Sequence, residues 1–420
     1  MTRPTLASVA AGLGVALCAT LAAADTITLS PRTTIRVGKW AEGLVFAGSS
    51  LWVAESGQRT IAQIEDDKVI RRIEVGRLPV DMLFDNDGAI YTLVQTDKRI
   101  WQQFPRDTKG RAIANLEGCP NGMTTGDTPP LFVLTWPDCS SNTGRVIRVD
   151  PKSGARSSTG MLGEMSQAIF YNSGKVWVAH ARGQALSVIE PGSMAVRKLD
   201  LPGVSAWALT GSEHVLYVGG RLGENNNQGV IVSVDPATMR ETHRQVVDQN
   251  IAFMTDDQDT VVAVSEKGRI YVFAAGTLQP LRTINLTTQP LGPRSVMILG
   301  DDLYVSNGQQ FGENGAVLII SNWKPKAAPP SNPPAPTPAP TPAPSNPPPA
   351  PASNAADCPS HVTQDAWMYA SPDEGAQKVI ALPAGTRGLV PNRCLSNWCN
   401  MTYQASTGWM QRHYLQADCK

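Results

Sequence analysis

Short apolar runs separated by turn residues recur along residues 25 to about 325, with a period of roughly 40 residues. Each unit holds several runs of β-branched and aromatic residues broken by Gly, Asn, Asp or Ser, a pattern that predicts short strands joined by tight turns. Seven copies begin near Gly43, Pro79, Thr128, Ser166, Ser205, Ile251 and Arg294. We therefore predict an all-β chain with a seven-bladed β-propeller. Six or eight blades stay open, because the copy at 119–162 is irregular.

The last copy lacks an evident fourth strand before the composition of the chain changes. The segment 26–38 has a strand pattern but no repeat of its own to join. We expect this segment to complete the last blade and close the ring, because closure hides sheet edges that would otherwise pair with other chains.

Several motifs are shared with a known group of propellers. The strands LWVAE (51–55), VWVAH (176–180) and LYV (303–305), with the turns SVIEP and SVDP, resemble those of NHL/YVTN-type and streptogramin-lyase-like β-propellers. The resemblance covers most of residues 40–322. It implies the fold strongly and specifies function hardly at all.

Two further regions follow the repeats. Residues 326–354 are dominated by proline and have no apolar periodicity, which predicts an extended spacer, with a proline-recognition ligand as the alternative. Residues 355–420 contain alternating strand patterns around PAGT (383–386), WC (398–399), GW (408–409) and YL (414–415). These motifs resemble bacterial SH3-like (SH3b) domains, and the resemblance implies a small barrel that binds cell-wall peptides or proteins.

The first 24 residues have the organisation of a signal peptide. Arg3 precedes an apolar run from Leu6 to Leu21, and the small residues 22–24 supply a cleavage site before Asp25. A membrane anchor is the alternative, but the run is shorter than the ~20 residues of a membrane span. A lipoprotein signal at Cys18 is weaker still, because a leucine precedes that cysteine. We predict a soluble mature chain, without a transmembrane segment, in the periplasm or outside the cell.

Signal removal leaves six cysteines, which are Cys119, Cys139, Cys358, Cys394, Cys399 and Cys419. An even number in an exported chain predicts disulfides. The simplest pairing joins the first two in the propeller, closes a hairpin with 394 and 399, and clasps the ends of the small domain with 358 and 419. A zinc site built from the last four is the alternative, but they lack paired C-x-x-C motifs.

The charges of the chain balance. Lys and Arg number 36, as do Asp and Glu, and signal removal takes away only Arg3, which leaves 35 against 36. A neutral chain has no global field that attracts nucleic acid or anionic lipid. We therefore predict no nucleic-acid partner.

One face of a propeller gathers the connections between blades and the loops after the second strands, so it receives residues from every blade. The sequence predicts a ligand-binding rim there. The ends of the second strands supply Glu55, Gln95, Trp136, His180, Arg221, Glu266 and Asn307, with Arg182 beside the histidine. The starts of the first strands add Glu42, Asp81, Asn121, Gln167, Trp207, Asn250 and Arg294.

His180 has the residue type of a general base or an anion contact, and a histidine bonded only to its structural neighbours is the alternative. Streptogramin-lyase-like enzymes use a rim histidine with a metal held by rim carboxylates. His180, Glu55 and Glu266 would mimic that set, although the W-F-T-E repeats of the family are not intact here.

Gluconolactonase-like propellers hold a divalent metal with Glu, Asn and Asp. Glu42, Asp81, Asn121 and Asn250 offer those residue types, and their oxygens would suit Ca²⁺ or Mg²⁺. The sequence nevertheless indicates no cofactor, because these types are common at rim positions.

Two loops rich in Gly and Asn, 219–229 and 307–315, follow second strands and serve either as binding loops or as tight turns. The preferred hypothesis is a non-enzymatic envelope protein. Its rim binds a protein or peptide partner, and its SH3-like domain docks on peptidoglycan or on a second protein. A metal-assisted lyase or lactone hydrolase is the alternative, and a subunit of an envelope complex is a third hypothesis.

Overall fold

A computed structural model of the chain describes residues 24–126, 129–141, 143–288, 292–308, 315–325, 360–363, 366–369, 378–395, 398–403, 406–411 and 414–417. They divide into two compact units, within Met1–Ala327 and Ala328–Lys420. The predicted signal peptide (apart from Ala24) and the predicted spacer 326–354 lie outside the described residues. Strands dominate the rest, which confirms the all-β class. Across these same ranges, no helix is long and apolar enough to cross a membrane.

Seven sheets of four or five strands form the large unit in the part of the chain that the structure describes, and we number these blades in chain order. Two strands precede them, β1 (Asp25–Leu29) and β2 (Thr33–Val37). Blade 1 contains β3 (Ala41–Ala47), β4 (Ser50–Glu55), β5 (Thr60–Glu65) and β6 (Lys68–Glu74). A single 3₁₀ turn, Ser56–Gln58, follows β4. Blade 2 contains β7 (Pro79–Phe84), β8 (Ile90–Val94), β9 (Arg99–Gln103) and β10 (Arg111–Asn115). Blade 3 contains β11 (Cys119–Thr125), β12 (Leu131–Trp136), β13 (Arg145–Val149) and β14 (Arg156–Ser158).

The remaining blades follow the same order. Blade 4 contains β15 (Ser166–Asn172), β16 (Lys175–His180), β17 (Ala185–Ile189) and β18 (Val196–Asp200). Blade 5 contains β19 (Val204–Ser212), β20 (Val215–Leu222), β21 (Gly229–Asp235) and β22 (Arg240–Val247). Blade 6 contains β23 (Ile251–Asp256), β24 (Thr260–Ser265), β25 (Ile270–Ala274) and β26 (Pro280–Leu286). Blade 7 contains β27 (Pro293–Leu299), β28 (Asp302–Asn307) and β29 (Gly315–Ile320).

The second strands of several blades are buried along their whole length. In β4 (SLWVAE), β8 (IYTLV) and β24 (TVVAVS) every residue is buried. A strand of this kind needs cover on both faces, and the neighbouring blades supply it. The outer strand β18 (VRKLD) is mostly exposed, as expected at the edge of a blade.

The first strands of successive blades contact one another around the centre, and β27 of blade 7 contacts β3 of blade 1. Blade 7 takes its fourth strand from the other end of the chain, because β2 pairs antiparallel with β29. The predicted closure by the N-terminal segment is therefore confirmed for β2. The earlier strand β1 instead pairs in parallel with β26 and adds a fifth strand to blade 6.

Cys119 and Cys139 form the predicted disulfide, with their Cα atoms 5.1 Å apart. The bond ties the loop after β12 to the first residue of β11, in the inner strand of blade 3. In the small unit Cys399 is disulfide-bonded, and the register of its hairpin places Cys394 opposite it. The pairing of these two stays a prediction, and the predicted pair of 358 with 419 lies outside the described residues.

The described strands of the small unit are β30 (Ser360–Val362), β31 (Ala366–Tyr369), β32 (Lys378–Leu382), β33 (Val390–Leu395), β34 (Trp398–Tyr403), β35 (Ser406–Gln411) and β36 (Leu415–Ala417). They form a five-stranded antiparallel sheet in the order β32-β31-β35-β34-β33 and a two-stranded sheet of β30 and β36. Val362, Met368, Leu382, Met401 and Met410 belong to its core. The unit is a small all-β domain, and its SH3-like assignment stays a prediction.

The two N-terminal strands allow a matched stability test. Ile35 in β2 is buried in the core between blades 7 and 1, whereas Ile27 in β1 is only partly buried against the core of blades 6 and 7. We expect Ile35→Ala to lower the free energy of unfolding by ~2–4 kcal/mol and Ile27→Ala by about 1 kcal/mol. Urea unfolding of the mature chain measures both. Equal losses would contradict the conclusion that β2 closes the ring.

Candidate functional site

A β-bulge occurs at the same place in all seven blades. Near the start of each first strand, the pairing with the second strand shifts register by one residue. The extra residues are Glu42 (with Gly43), Val80, Asn121, Gln167, Trp207, Ala252 and Arg294. We call this set the bulge ring. A bulge re-aims a side chain out of the regular alternation of a strand, so the seven positions are set apart from the core.

All seven members of the bulge ring line one cavity of about 1000 Å³, which we call the central cavity. Other residues reach it from positions beside the bulges. The predicted rim residues Asp81, Gln95, Trp136 and Glu266 are among them, and Trp40 and Phe253 add aromatic surface. The seven blades together therefore supply carboxylate, amide, guanidinium and aromatic groups to the central cavity.

Two of the carboxyl groups in the central cavity have raised pKa values. Burial raises the pKa of Glu42 to about 7, although the Arg294 guanidinium acts in the opposite direction from 3.8 Å away. Burial also raises the pKa of Asp81 to about 6, against the backbone N–H groups of Met82 and Met123, which donate to it at 2.9 and 2.8 Å. Both groups bind protons near neutral pH, and a cationic ligand group would favour their ionised forms.

Sequence reasoning identified five members of the bulge ring and missed two. It selected Asp81 where the bulge is Val80, and Asn250 where the bulge is Ala252. A signal was present in three blades, because a proline directly precedes the bulged residue at Pro79, Pro120 and Pro293. Proline within a sheet is largely confined to edge strands, bulges and the first residue of a strand.

Glu55 does not line the central cavity. It is fully buried at the end of β4, where Gly38 N–H donates to it at 2.7 Å and Thr60 Oγ1 at 2.6 Å. Arg72 Nε completes the set at 2.9 Å. Its oxygens are occupied by contacts that hold blade 1 to the chain after β2, so the structure gives Glu55 a structural role.

His180 lies at the end of β16, is 2% exposed, and does not line the central cavity. Its Nδ1 lies 3.1 Å from Ser166 Oγ and its Nε2 lies 2.8 Å from Ser187 Oγ, so both ring nitrogens are hydrogen-bonded. Burial, reinforced by the charge of Lys198, lowers its pKa to about 4. The histidine is therefore neutral at physiological pH and bridges the first and third strands of blade 4.

Arg182 and Arg221 line a second cavity of about 880 Å³, which we call the side cavity. Trp207 lines both cavities, and His180 contributes to the side cavity alone. Two other predicted rim residues line neither cavity. Asn250 is buried, and its backbone carbonyl accepts a hydrogen bond from the backbone N–H of Glu266. Asn307 directly precedes Gly308, which lines the central cavity.

The candidate metal ligands are only partly brought together. Glu42, Asp81 and Asn121 line the central cavity, and Asn250 does not. Within the ranges that the structure describes, no group of three or more His, Cys, Asp or Glu residues is arranged to hold a metal ion.

No protein-family model and no curated protein matches the chain. Solved β-propellers do match it over the large unit. A streptogramin B lyase shares 13% identity over 68% of this chain and 97% of its own, with a TM-score of 0.56. Virginiamycin B lyase from Staphylococcus aureus shares 10% identity over 69% and 99%, with a TM-score of 0.55. The WD40 β-propeller domain of Doa1 shares 13% identity over 70% and 97%, with a TM-score of 0.53. At these identities the likeness shows the fold alone, and it supports the propeller.

The pKa of His180 predicts a pH-dependent contribution to stability. In the unfolded chain this histidine takes up a proton below about pH 6.5, whereas the folded protein keeps it neutral down to about pH 4. Folding is therefore penalised as the pH falls through this window, by up to ~3 kcal/mol. We expect His180→Gln to lose less stability than the wild type between pH 6.5 and 4.5 in urea unfolding.

Glu42 and Asp81 oppose this trend, because carboxyl groups with raised pKa values bind protons more tightly in the folded state. Both carboxyl groups are present in the wild type and in His180→Gln, so their contribution cancels in the difference between the two unfolding free energies. The exposed His214→Gln is the matched control. Parallel pH profiles for wild type and His180→Gln would contradict the assignment of a buried, neutral histidine.

Proposed function

We propose that the chain is an exported, non-enzymatic binding protein whose central cavity holds part of a protein or peptide partner. One observation carries the proposal: all seven blades bulge at one level, and every bulged side chain lines the same cavity. The identities differ from blade to blade while the backbone device repeats. A constant scaffold that presents varied side chains to one cavity is the arrangement of a recognition site.

The geometry supports binding over the lyase or lactone-hydrolase alternative. The lyase requires Glu55 and His180, which are occupied by structural hydrogen bonds. Of the four oxygen ligands that the lactone hydrolase requires, Asn250 does not line the central cavity. Among the described residues that line the central cavity there is no histidine or cysteine. The remaining lining suits recognition, because aromatic rings bury area at low entropic cost and amides adapt their hydrogen bonds.

The rest of the chain extends this proposal. The predicted signal peptide at 1–24 supports export to the periplasm or out of the cell, and the disulfides at Cys119–Cys139 and at Cys399 are compatible with such a compartment. The SH3-like domain at 355–420 docks on peptidoglycan or on a second protein. The proline-rich spacer at 326–354 joins two binding events, so that each raises the effective concentration for the other.

A blocked cavity tests the proposal. Ala252→Trp places a large side chain at a bulge-ring position without removing a contact group. We expect this variant to lose binding to partners captured by the wild-type mature chain from native envelope, with the affinity for each purified partner falling about tenfold or more, or ~1.4 kcal/mol. Surface-immobilised protein and purified partner give the affinities directly.

Val246→Trp is the matched control, because Val246 is an exposed apolar residue on the outer strand of blade 5. It should bind like the wild type. If a partner binds the wild type, Ala252→Trp and the control with the same affinity, the central cavity is not its binding site. Turnover of a captured molecule by the wild type would favour the enzyme alternative.

A further inference from the structure

The side cavity adjoins the central cavity at a fixed aromatic wall. Trp207, the bulge-ring residue of blade 5, lines both. Its indole Nε1 donates to Ser205 Oγ at 3.2 Å, and that hydroxyl donates to the Ala181 carbonyl at 2.6 Å. The Arg221 guanidinium lies over the indole, 5.1 Å from the ring centroid. The tryptophan is therefore held in place from both blade 4 and blade 5.

An ion pair also links the two cavities. Arg221 lines the side cavity, Glu266 lines the central cavity, and the two side chains approach to 3.0 Å. The side cavity has a volume of about 880 Å³, close to that of the central one. A ligand of extended form could thus occupy both spaces at once, with its middle against Trp207.

The linings of the two cavities differ in the sign of their excess charge: acidic residues outnumber basic ones in the central cavity, and basic residues outnumber acidic ones by one in the side cavity. Acidic residues in the central cavity are Glu42, Asp81 and Glu266, against the single basic residue Arg294. Basic residues in the side cavity are Arg182, Lys198 and Arg221, against Glu164 and Glu224. Asp200 pairs with Lys198 at 2.8 Å, and His180 is neutral. The complementary ligand carries a basic group at one end and an acidic group further along.

The outer part of the side cavity is apolar and exposed. Met161 is 53% exposed and Val196 is 42% exposed, and both line the cavity. Val196 and Lys198 stand on the same face of β18, so the apolar and basic groups follow one another along the strand. An apolar group beyond the acidic one would cover this surface.

We propose that the ligand is a linear peptide segment that runs from the central cavity past Trp207 into the side cavity, with a basic residue in the first and an acidic then an apolar residue in the second. This rests on the proposed function. A nucleic acid carries one sign of charge and would be repelled by the central carboxylates, and a neutral glycan would use neither set of charges. A peptide carries both signs and apolar groups in one chain.

Selection from a library of linear peptides of about twelve residues, which span roughly 40 Å when extended, tests the proposal on the immobilised mature chain. We expect selected peptides to share a basic residue followed by an acidic and an apolar one, and to bind with one peptide per protein in calorimetry. Arg182→Glu with Lys198→Glu should weaken these peptides about tenfold or more and, on reselection, replace the acidic residue by a basic one.

The pair Arg197→Glu with Arg240→Glu is the matched control. Both residues are exposed on outer strands, Arg197 lies on the opposite face of β18 from Lys198, and the change in net charge is the same. The control should leave the affinity and the selected motif unchanged. Because Arg182 and Lys198 are themselves exposed, the charge-reversed variant keeps its fold, which its thermal unfolding checks.

The outcomes separate the two proposals. If the selected peptides fail to bind Ala252→Trp but bind the charge-reversed variant normally, the side cavity is not part of their binding site. That result would overturn the proposal that the peptide spans both cavities and would leave the proposed function standing. Peptides unaffected by either variant would overturn both. A third outcome would also overturn the peptide assignment. In it, no peptide is selected, wall oligosaccharides bind the wild type, and Ala252→Trp abolishes that binding.

Discussion

The large unit depends on the burial of blade faces that no blade can cover by itself. Strands such as β4 and β24 are buried along their whole length, so each blade needs a neighbour on both sides. Only a closed ring satisfies every blade, and closure here rests on the pairing of β2 with β29. The same closure brings the seven first strands into mutual contact, and this contact is what makes their bulged residues converge.

Under the proposed function, the bulges allow the residues that contact the ligand to vary without loss of stability. Beyond each bulge the strands resume regular pairing, so the ladder is kept whatever side chain stands at the bulged position. Residues as different as Ala252, Trp207 and Arg294 therefore occupy equivalent places. Glu55 and His180 stand at the ends of second strands, and their side chains form hydrogen bonds that stabilise the blades instead.

The sequence could predict features set by local pattern and not those set by pairing between strands. The period, the apolar second strands and the incomplete last copy suffice for the propeller and its closure, as β2 shows. The bulge ring was found where the bulged residue is polar or aromatic, as at Asn121 and Trp207. Val80 and Ala252 were missed because register is a property of two strands together. His180 drew attention by its residue type, whereas the two serines that satisfy it are brought to it by the pairing of β16 with β15 and β17.

Charge balance and charge separation have different consequences for binding. The whole chain is neutral, so it exerts little long-range attraction on any ligand. The fold nevertheless places an excess of carboxylates, from blades 1, 2 and 6, in one cavity and a small excess of cations, from blades 4 and 5, in the next. At physiological ionic strength such local fields are screened within about 8 Å. If the cavities bind a ligand as proposed, its selection must therefore arise from direct contact inside them.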